Sequence, residues 1–140
     1  MLSRIIAVII LLLPAVSSFS QNSEWENFTD LKSVTSIAYD ETDWKIYCAS
    51  RGGLFVVDNN SGTVVKKYTN LDGLININLT SLAIDSKRRL WIGASDGSIS
   101  ILDLGSLTWK YIFDIKNSSE SNKIINRILP AGNFMFVATG

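Results

Sequence analysis

The single cysteine of this sequence is the first residue to consider for covalent chemistry, because a thiolate can act as a nucleophile. Cys48 lies between Tyr47 and Ala49 in an apolar run, and Arg51 is the nearby basic residue that could lower its pKa. The chain of 140 residues contains no histidine, which removes Ser-His-Asp and Cys-His systems and the commonest transition-metal ligand. We therefore interpret Cys48 as a small buried side chain, with a thiolate activated by Arg51 as the alternative. A single cysteine also forms no internal disulfide.

Carboxylate oxygens could bind calcium, and residues 40–43 (DETD) place several of them in one short segment. The segment lacks the glycine pivot and the ligand spacing of a calcium-binding loop, so an exposed acidic turn is the favoured interpretation. Asp40, Asp85 and Asp103 recur beside turns, where carboxylates cap the backbone through short-range hydrogen bonds. These patterns predict no catalytic residue, no metal site and no cofactor.

Four tryptophans could form a platform for a carbohydrate or a peptide. Trp91 lies in an apolar run and is expected in the core, whereas Trp25 and Trp109 fall on predicted outer strands, where they would cover a blade edge. Trp44 falls in a predicted turn. Because an exposed aromatic ring in a turn is available to a partner, Trp44 is our candidate ligand-binding residue.

The charge pattern argues against a nucleic-acid binder. Thirteen basic and 13 acidic residues give a formal net charge of zero. The Lys87-Arg88-Arg89 triplet is the only basic block, and we interpret it as a solvated turn between two strands.

The N-terminus predicts export. Residues 1–20 contain Arg4, an unbroken apolar run over residues 5–13 that is too short to span a bilayer, and small residues after Pro14. We interpret them as a signal peptide cleaved after Ser20, with cleavage after Ser18 or an uncleaved anchor as alternatives. No cysteine directly follows the apolar run, which excludes a lipoprotein anchor. The mature chain contains no second long apolar segment, so we expect no membrane span in it.

The glycosylation signal is separate from export and matters only in a eukaryotic secretory pathway. Asn-x-Ser/Thr sequons occur at Asn27, Asn59, Asn78 and Asn117. The low cysteine content of an exported chain favours a bacterial envelope protein instead.

An internal repeat organises the rest of the chain. Residues 34–40 (VTSIAYD) match residues 79–85 (LTSLAID) at an offset of 45, with four identities in seven positions. Residues 46–50 then lie over residues 90–94, and a third copy begins near Ile125. Each copy contains four short apolar segments separated by polar or glycine-containing turns, which is typical of one β-propeller blade.

The repeat predicts an all-β fold: a partial β-propeller of about two and a half four-stranded antiparallel blades, each of roughly 45 residues. The domain assignment is a signal peptide at 1–20 and the partial propeller at 21–140, with blades starting near Val34, Leu79 and Ile125. A β-sandwich and a parallel β-solenoid are alternatives, but a sandwich requires no fixed period and solenoids repeat in fewer residues.

Stacking of the blades should bury one residue set between neighbouring sheets. We expect Ile37, Leu82, Trp91 and Ile92 in this core, and Gly93 should permit another backbone to approach closely. Four blades would exceed the mature chain, so we expect the sequence to be a fragment of a larger exported protein. The unpaired last blade should make this piece alone fold poorly or aggregate.

Several motifs resemble a known repeat family. Residues 68–74 (YTNLDGL), 79–85 (LTSLAID) and 89–94 (RLWIGA), followed by Gly97 and Asp103, look like two-component-regulator propeller repeats. Those repeats carry an aromatic-T-x-x-D-G-L entry and a D-x-x-G-x-L-W-I-G-T strand pair. The blades are also similar to the N-terminal propeller of envelope proteins of the type IX (Por) secretion system.

This resemblance departs from the family pattern in two places. Ala94 replaces the usual threonine, and Lys87-Arg88-Arg89 replaces the usual glycine-containing turn. The pattern is structural and carries over no functional residue.

The expected function is a non-catalytic, exported binding module for a protein, peptide or glycan in the bacterial envelope. It would act as a secretion-system accessory or a sensor domain, in the periplasm, at the outer-membrane surface or outside the cell. The alternative is a piece of an extracellular propeller hydrolase or lyase whose catalytic residues lie on other blades.

Overall fold

A computed structural model describes residues 32–140 of the chain. The predicted signal peptide and the outer strand expected at residues 25–29, including Trp25, lie outside the described residues. Within residues 32–140, no helix is long and apolar enough to cross a bilayer.

Ten strands and one short 3-10 helix form the described part of the chain. The first blade comprises β1 (Val34–Asp40), β2 (Lys45–Ser50), β3 (Gly53–Asp58) and β4 (Val64–Tyr68). The second blade comprises β5 (Leu79–Ile84), β6 (Arg89–Ala94), β7 (Ile99–Asp103) and β8 (Trp109–Ile112). The third sheet comprises β9 (Ile125–Ala131) and β10 (Phe134–Thr139), and the helix is Asn70–Asp72.

The sheets have the topology of propeller blades. Strand order is β1-β2-β3-β4 in the first sheet, β5-β6-β7-β8 in the second and β10-β9 in the third, with every neighbouring pair antiparallel. This arrangement confirms the prediction of an all-β partial propeller with four-stranded antiparallel blades.

The T-x-x-D-G-L segment forms the entry to the second blade. Thr69 caps the 3-10 helix with its hydroxyl, and the Asp72 carboxylate accepts a hydrogen bond from the Thr69 amide at 2.9 Å, which completes a capping box. Gly73 ends the helix at φ +112°, and a Cβ there would lie 2.6 Å from the indole of Trp109. Leu74 is buried in the core directly after this turn. Each of the four specified positions of the motif therefore has a local structural role.

The larger core lies between the first two blades. Tyr47 pairs with Val56 and Ala49 pairs with Leu54 across β2 and β3, and all four side chains are buried. They share one face because alternate residues of a strand point to the same side of the sheet. The facing side chains of the second blade include Leu79, Leu82, Leu90, Ile92, Leu102 and Leu104. Complete burial of each leucine contributes about 1.5–3 kcal/mol.

A second core lies between the second blade and the third sheet. Ile99 and Ile101 of β7 pack with Ile125 and Ile128 of β9, and all four are buried. Gly93 opens the space for this contact, because a Cβ at its position would lie 2.5 Å from Cγ2 of Ile125. The expected close approach at Gly93 exists, but the approaching group is a side chain and not a backbone.

The prediction that Ile37 is buried was wrong. Ile37 is 66% exposed, whereas Leu82, its counterpart in the second blade, is 6% exposed. Leu82 points toward the first blade, and the equivalent face of the first blade is uncovered in the described residues. Ile37 is thus exposed because of its place in the stack and not because of its residue type.

Hydroxyl side chains join the innermost strands of the first two blades. Strands β1 and β5 belong to different sheets, so they share no ladder of backbone hydrogen bonds. Instead, Thr35 Oγ1 donates to the carbonyl oxygen of Leu79 at 2.9 Å, and the Leu82 amide donates to Ser36 Oγ at 3.0 Å. Two side chains thereby satisfy backbone groups that sheet pairing leaves free.

The same connection recurs one blade later. Thr80 Oγ1 donates to the carbonyl oxygen of Ile125 at 2.6 Å, and the Ile128 amide donates to Ser81 Oγ at 2.9 Å. The Thr-Ser pair at an offset of 45 is therefore a connector between blades.

We expect Gly93→Ala to lower the free energy of unfolding by about 1–3 kcal/mol, because the added methyl group must displace Ile125. Gly105→Ala is the matched control, since a Cβ at Gly105 meets its nearest atom at an ordinary 3.4 Å. Urea unfolding of the purified protein measures both variants. Equal stability of Gly93→Ala and the wild type would contradict the packing at this contact.

Candidate binding surface on the turn face

The candidate surface lies at one end of the blades. In a meander of four antiparallel strands, the first and third turns emerge at the same end of the sheet. We call this end the turn face, and in the first two blades it consists of residues 41–44, 59–63, 85–88 and 104–108. Two hydrogen bonds join its turns: the Asn59 amide donates to the Trp44 carbonyl at 2.9 Å, and the Leu104 amide donates to the Arg88 carbonyl at 3.2 Å.

Arg88 joins the two blades at the turn face. Its Nε lies 3.2 Å from both carboxylate oxygens of Asp40, and its Nη2 lies 2.7 Å from Oδ2 of Asp40 and also binds the carboxylate of Asp43. These hydrogen bonds hold the pKa of the buried Asp40 carboxyl below its ordinary value and raise the pKa of Arg88. Asp40 and Asp43, two of the residues considered as calcium ligands, thus bind the guanidinium group of Arg88.

The interpretation of Lys87-Arg88-Arg89 as a solvated turn holds only for the exposed Lys87. Arg89 forms an ion pair with Asp85 at 2.6 Å and lies 5.7 Å from the centre of the Trp91 ring. The Trp91 indole N–H also donates to Asp85 at 2.9 Å. Trp91, expected in the core, is half-buried and packs against the second core from its edge. Although burial acts to raise the pKa of Asp85, these hydrogen bonds lower it overall.

The turn-capping role expected of Asp40, Asp85 and Asp103 is confirmed. Oδ1 of Asp40 accepts the amide of Thr42 at 3.1 Å, and Oδ1 of Asp85 accepts that of Lys87 at 2.9 Å. Oδ1 of Asp103 accepts the amides of Gly105 and Ser106 at 3.0 and 2.9 Å, and Oδ1 of Asp58 accepts those of Asn60 and Ser61 at 3.1 and 2.9 Å. These backbone hydrogen bonds lower the pKa of both carboxyls. The two turns are therefore equivalent, one in each blade.

The equivalent turns differ at the residue that adopts the left-handed conformation. In the first blade this residue is Gly62, at φ +68°, and in the second it is Leu107, at φ +57°. A left-handed conformation costs an L-residue with a side chain about 1–2 kcal/mol, and glycine avoids this penalty. Leu107 is 63% exposed, so the core does not explain its presence.

Trp44 and Arg88 also adopt the left-handed conformation, at φ +53° and +60°. Among residues 32–140, three residues other than glycine have a positive φ: Trp44, Arg88 and Leu107. All three lie on the turn face. Arg88 has an evident reason, since its conformation accompanies the ion pairs with Asp40 and Asp43. Trp44 is 54% exposed, as expected for a turn, and it remains our predicted ligand-binding residue.

A cleft of about 480 Å³ opens between the first two blades beside this surface. The cleft is lined by Asp43, Lys45, Tyr47, Val56, Val65, Lys66, Tyr68, Leu104, Gly105 and Leu107. No motif in the sequence predicted this cleft. One signal was available: residues 61–63 (SGT) and 106–108 (SLT) align at the repeat offset and differ only by glycine and leucine.

The surroundings of Cys48 and Asp96 indicate structural roles for both side chains. Burial raises the pKa of the Cys48 thiol, which opposes a reactive thiolate and agrees with its interpretation as a small buried side chain. At the opposite end of the second blade, Asp96 binds Lys116 and Ser98. Burial acts to raise the pKa of Asp96, but these hydrogen bonds place it well below the ordinary range.

The fold, the connectors between blades and the turn face define a segment of a β-propeller, a class that presents its turns to partners on the faces of the ring. A family model described as the N-terminal β-propeller domain of PorZ, from the type IX secretion system (TSS9), matches residues 46–140. The chain belongs to this family of PorZ N-terminal propeller domains. No curated protein sequence matches the chain.

Solved structures give the same fold. PorZ of Porphyromonas gingivalis, described as an essential surface component of the type IX secretion system, aligns with a TM-score of 0.66 and 22% identity over 75% of this chain. The extracellular domain of BT3049 from B. thetaiotaomicron, described as a hybrid two-component system, aligns with a TM-score of 0.65 and 27% identity over 77% of this chain. The chain spans 14% of the length of each. Hydrazine synthase of Kuenenia stuttgartiensis shares the fold with a TM-score of 0.58 and 15% identity, over 79% of this chain and 30% of that chain.

We expect Arg88→Gly to lower the free energy of unfolding at neutral pH, because Asp40 loses its partner. The pKa of Asp40 is depressed below 3.8 in the folded state, so this stabilisation is complete above that pH and is lost as pH falls through the lower folded pKa. At acid pH the variant should equal or exceed the wild type, since glycine also relieves the left-handed conformation. Unfolding curves across this pH range, with Lys87→Ala as the control, measure the difference. A pH-independent difference would contradict the ion pair's role.

We expect a reciprocal exchange at the equivalent turns to have opposite effects. Leu107→Gly should leave the free energy of unfolding unchanged or raise it by up to about 1 kcal/mol, whereas Gly62→Leu should lower it by about 1 kcal/mol. Thermal and urea unfolding of both variants test this. Clear destabilisation by Leu107→Gly would show that Leu107 serves the fold.

Proposed function

We propose that this chain is part of an exported, non-catalytic propeller module that binds a protein, peptide or glycan in the bacterial envelope as a secretion-system accessory. The observation that carries this proposal is its membership of the PorZ N-terminal propeller family across residues 46–140. Export rests on the predicted signal peptide at residues 1–20.

The local chemistry supports a binding role. The buried carboxylates Asp40 and Asp85 are fully engaged in capping turns and binding arginines, and every buried polar side-chain atom of residues 32–140 has a hydrogen-bond partner. By contrast, Trp44 and Leu107 present large apolar surfaces to solvent on the turn face. Exposed apolar residues held on a rigid scaffold favour recognition over catalysis.

A sensor role is the second candidate, because the blades resemble the extracellular domain described as part of a hybrid two-component system. The sensor role and the accessory role predict different effects when the protein is lost from the cell. Loss of a sensor changes transcription, whereas loss of an accessory stops the export of cargo to the cell surface.

Deletion of residues 46–140 from the gene in its own host tests the proposal. We expect type IX cargo to be lost from the cell surface and to accumulate in the periplasm, with transcription unchanged. The intact gene supplied in trans is the control, and immunoblotting of the exported protein separates loss of function from loss of the protein.

Two results would contradict the proposal. Normal cargo secretion by the deletion strain, with altered transcription, would indicate a sensor. Turnover of an extracellular polysaccharide or peptide by the purified exported protein would indicate the propeller enzyme that the sequence left open.

A further inference from the structure

The cleft between the first two blades has an apolar interior and an apolar rim. Tyr47, Val56 and Leu104 form buried parts of its lining. Val65 and Leu107 line it from exposed positions. Such a shape suits an apolar side chain of a partner, because burial there removes apolar surface of both molecules from water.

The charges at the cleft are unbalanced. Lys45 and Lys66 line it, and the Lys66 ammonium lies 5.2 Å from the centre of the Tyr68 ring. The lining residues include one acidic side chain, Asp43, which binds Arg88 at its carboxylate. Asp58 lies opposite Lys45 across β2 and β3 and interacts with its charge, so the Lys66 ammonium beside the apolar surface is the group that acidic side chains of a partner complement.

Leu107 indicates that the apolar rim of the cleft serves binding. The equivalent turn of the first blade forms the same hydrogen bonds with glycine at the left-handed position. The turn thus needs no leucine, and a solvent-exposed leucine in a strained conformation adds apolar surface to the cleft.

From these observations we infer that the cleft binds a peptide segment of a protein partner in which a large apolar side chain is flanked by acidic ones. This inference rests on the proposed binding function and names its ligand chemistry. A glycan is less suited, because carbohydrates stack on exposed aromatic rings. Tyr47 is buried, Tyr68 is partly buried and lies edge-on to Trp109 with ring centroids 5.8 Å apart, and the exposed apolar rim residues, Val65 and Leu107, are aliphatic.

Binding of short fluorescein-labelled peptides to the exported protein tests the ligand chemistry, with fluorescence polarisation as the measurement. The first peptide carries a leucine between aspartates, the second replaces the aspartates with lysines, and the third replaces the leucine with alanine. We expect the first peptide to bind, and each replacement to weaken binding by about tenfold. Polygalacturonate is included as an acidic glycan competitor.

Matched variants test the location. Lys66 and Lys67 are adjacent on β4 and point to opposite faces of the sheet, so Lys66→Glu should weaken binding of the acidic peptide and Lys67→Glu should not. Leu107→Gly should also weaken binding without lowering the melting temperature. Leu71→Ser, at an exposed leucine outside the cleft, is its control.

Each contrary outcome overturns the inference. It fails if the three peptides bind equally or not at all, if Lys67→Glu acts like Lys66→Glu, or if polygalacturonate displaces the peptide and binds more tightly. These failures are distinguishable from failure of the proposed function. Loss of cargo secretion on deletion of residues 46–140, combined with unaffected secretion by Lys66→Glu and Leu107→Gly, would preserve the binding role and exclude this cleft.

Discussion

The structure depends on one constraint: a four-stranded blade has two apolar faces and cannot cover both of them. Neighbouring blades must therefore pack face to face, yet their innermost strands belong to separate sheets and share no backbone ladder. The Thr-Ser pairs, Thr35-Ser36 and Thr80-Ser81, join the innermost strands of packed blades without a backbone ladder. Each pair places two short hydroxyls against the backbone of the next blade. The buried leucines between the first two blades and the Arg88–Asp40 ion pair at the turn face add to this contact.

Much of the fold could be predicted from the sequence because the same constraint recurs in each blade. A residue that performs the same task in successive blades produces a period, and the offset of 45 between residues 34–40 and 79–85 revealed the strands and their order. The T-x-x-D-G-L segment occurs once in the chain and was identified from its resemblance to propeller repeats; in the structure Thr69 and Asp72 cap a helix and Gly73 lies against Trp109. Aspartates beside turns were predictable for a similar reason, since their role depends only on local backbone geometry.

The remaining features depend on differences between blades, which a repeat pattern does not reveal. Ile37 and Leu82 look equivalent in the sequence, but only Leu82 has a blade against its face. Arg88 looks like part of a solvated basic turn, and only the fold brings it to Asp40, 48 positions earlier in the chain. The cleft likewise lies between blades, so no single motif contains it. The sequence therefore predicted the scaffold well and, at the candidate site, only the exposure of Trp44.

Function is indicated by the positions at which equivalent turns of the blades have different residue types. If folding alone governed these turns, glycine would occupy every left-handed position, as Gly62 does in the first blade. Arg88 departs from glycine and forms ion pairs between two blades, so its departure serves stability. Leu107 departs from glycine, is 63% exposed and lines the same cleft as Lys45 and Lys66. A strained residue that does not stabilise its own blade is best explained by a partner, which is why the cleft, and not the repeated core, is the place to seek specificity.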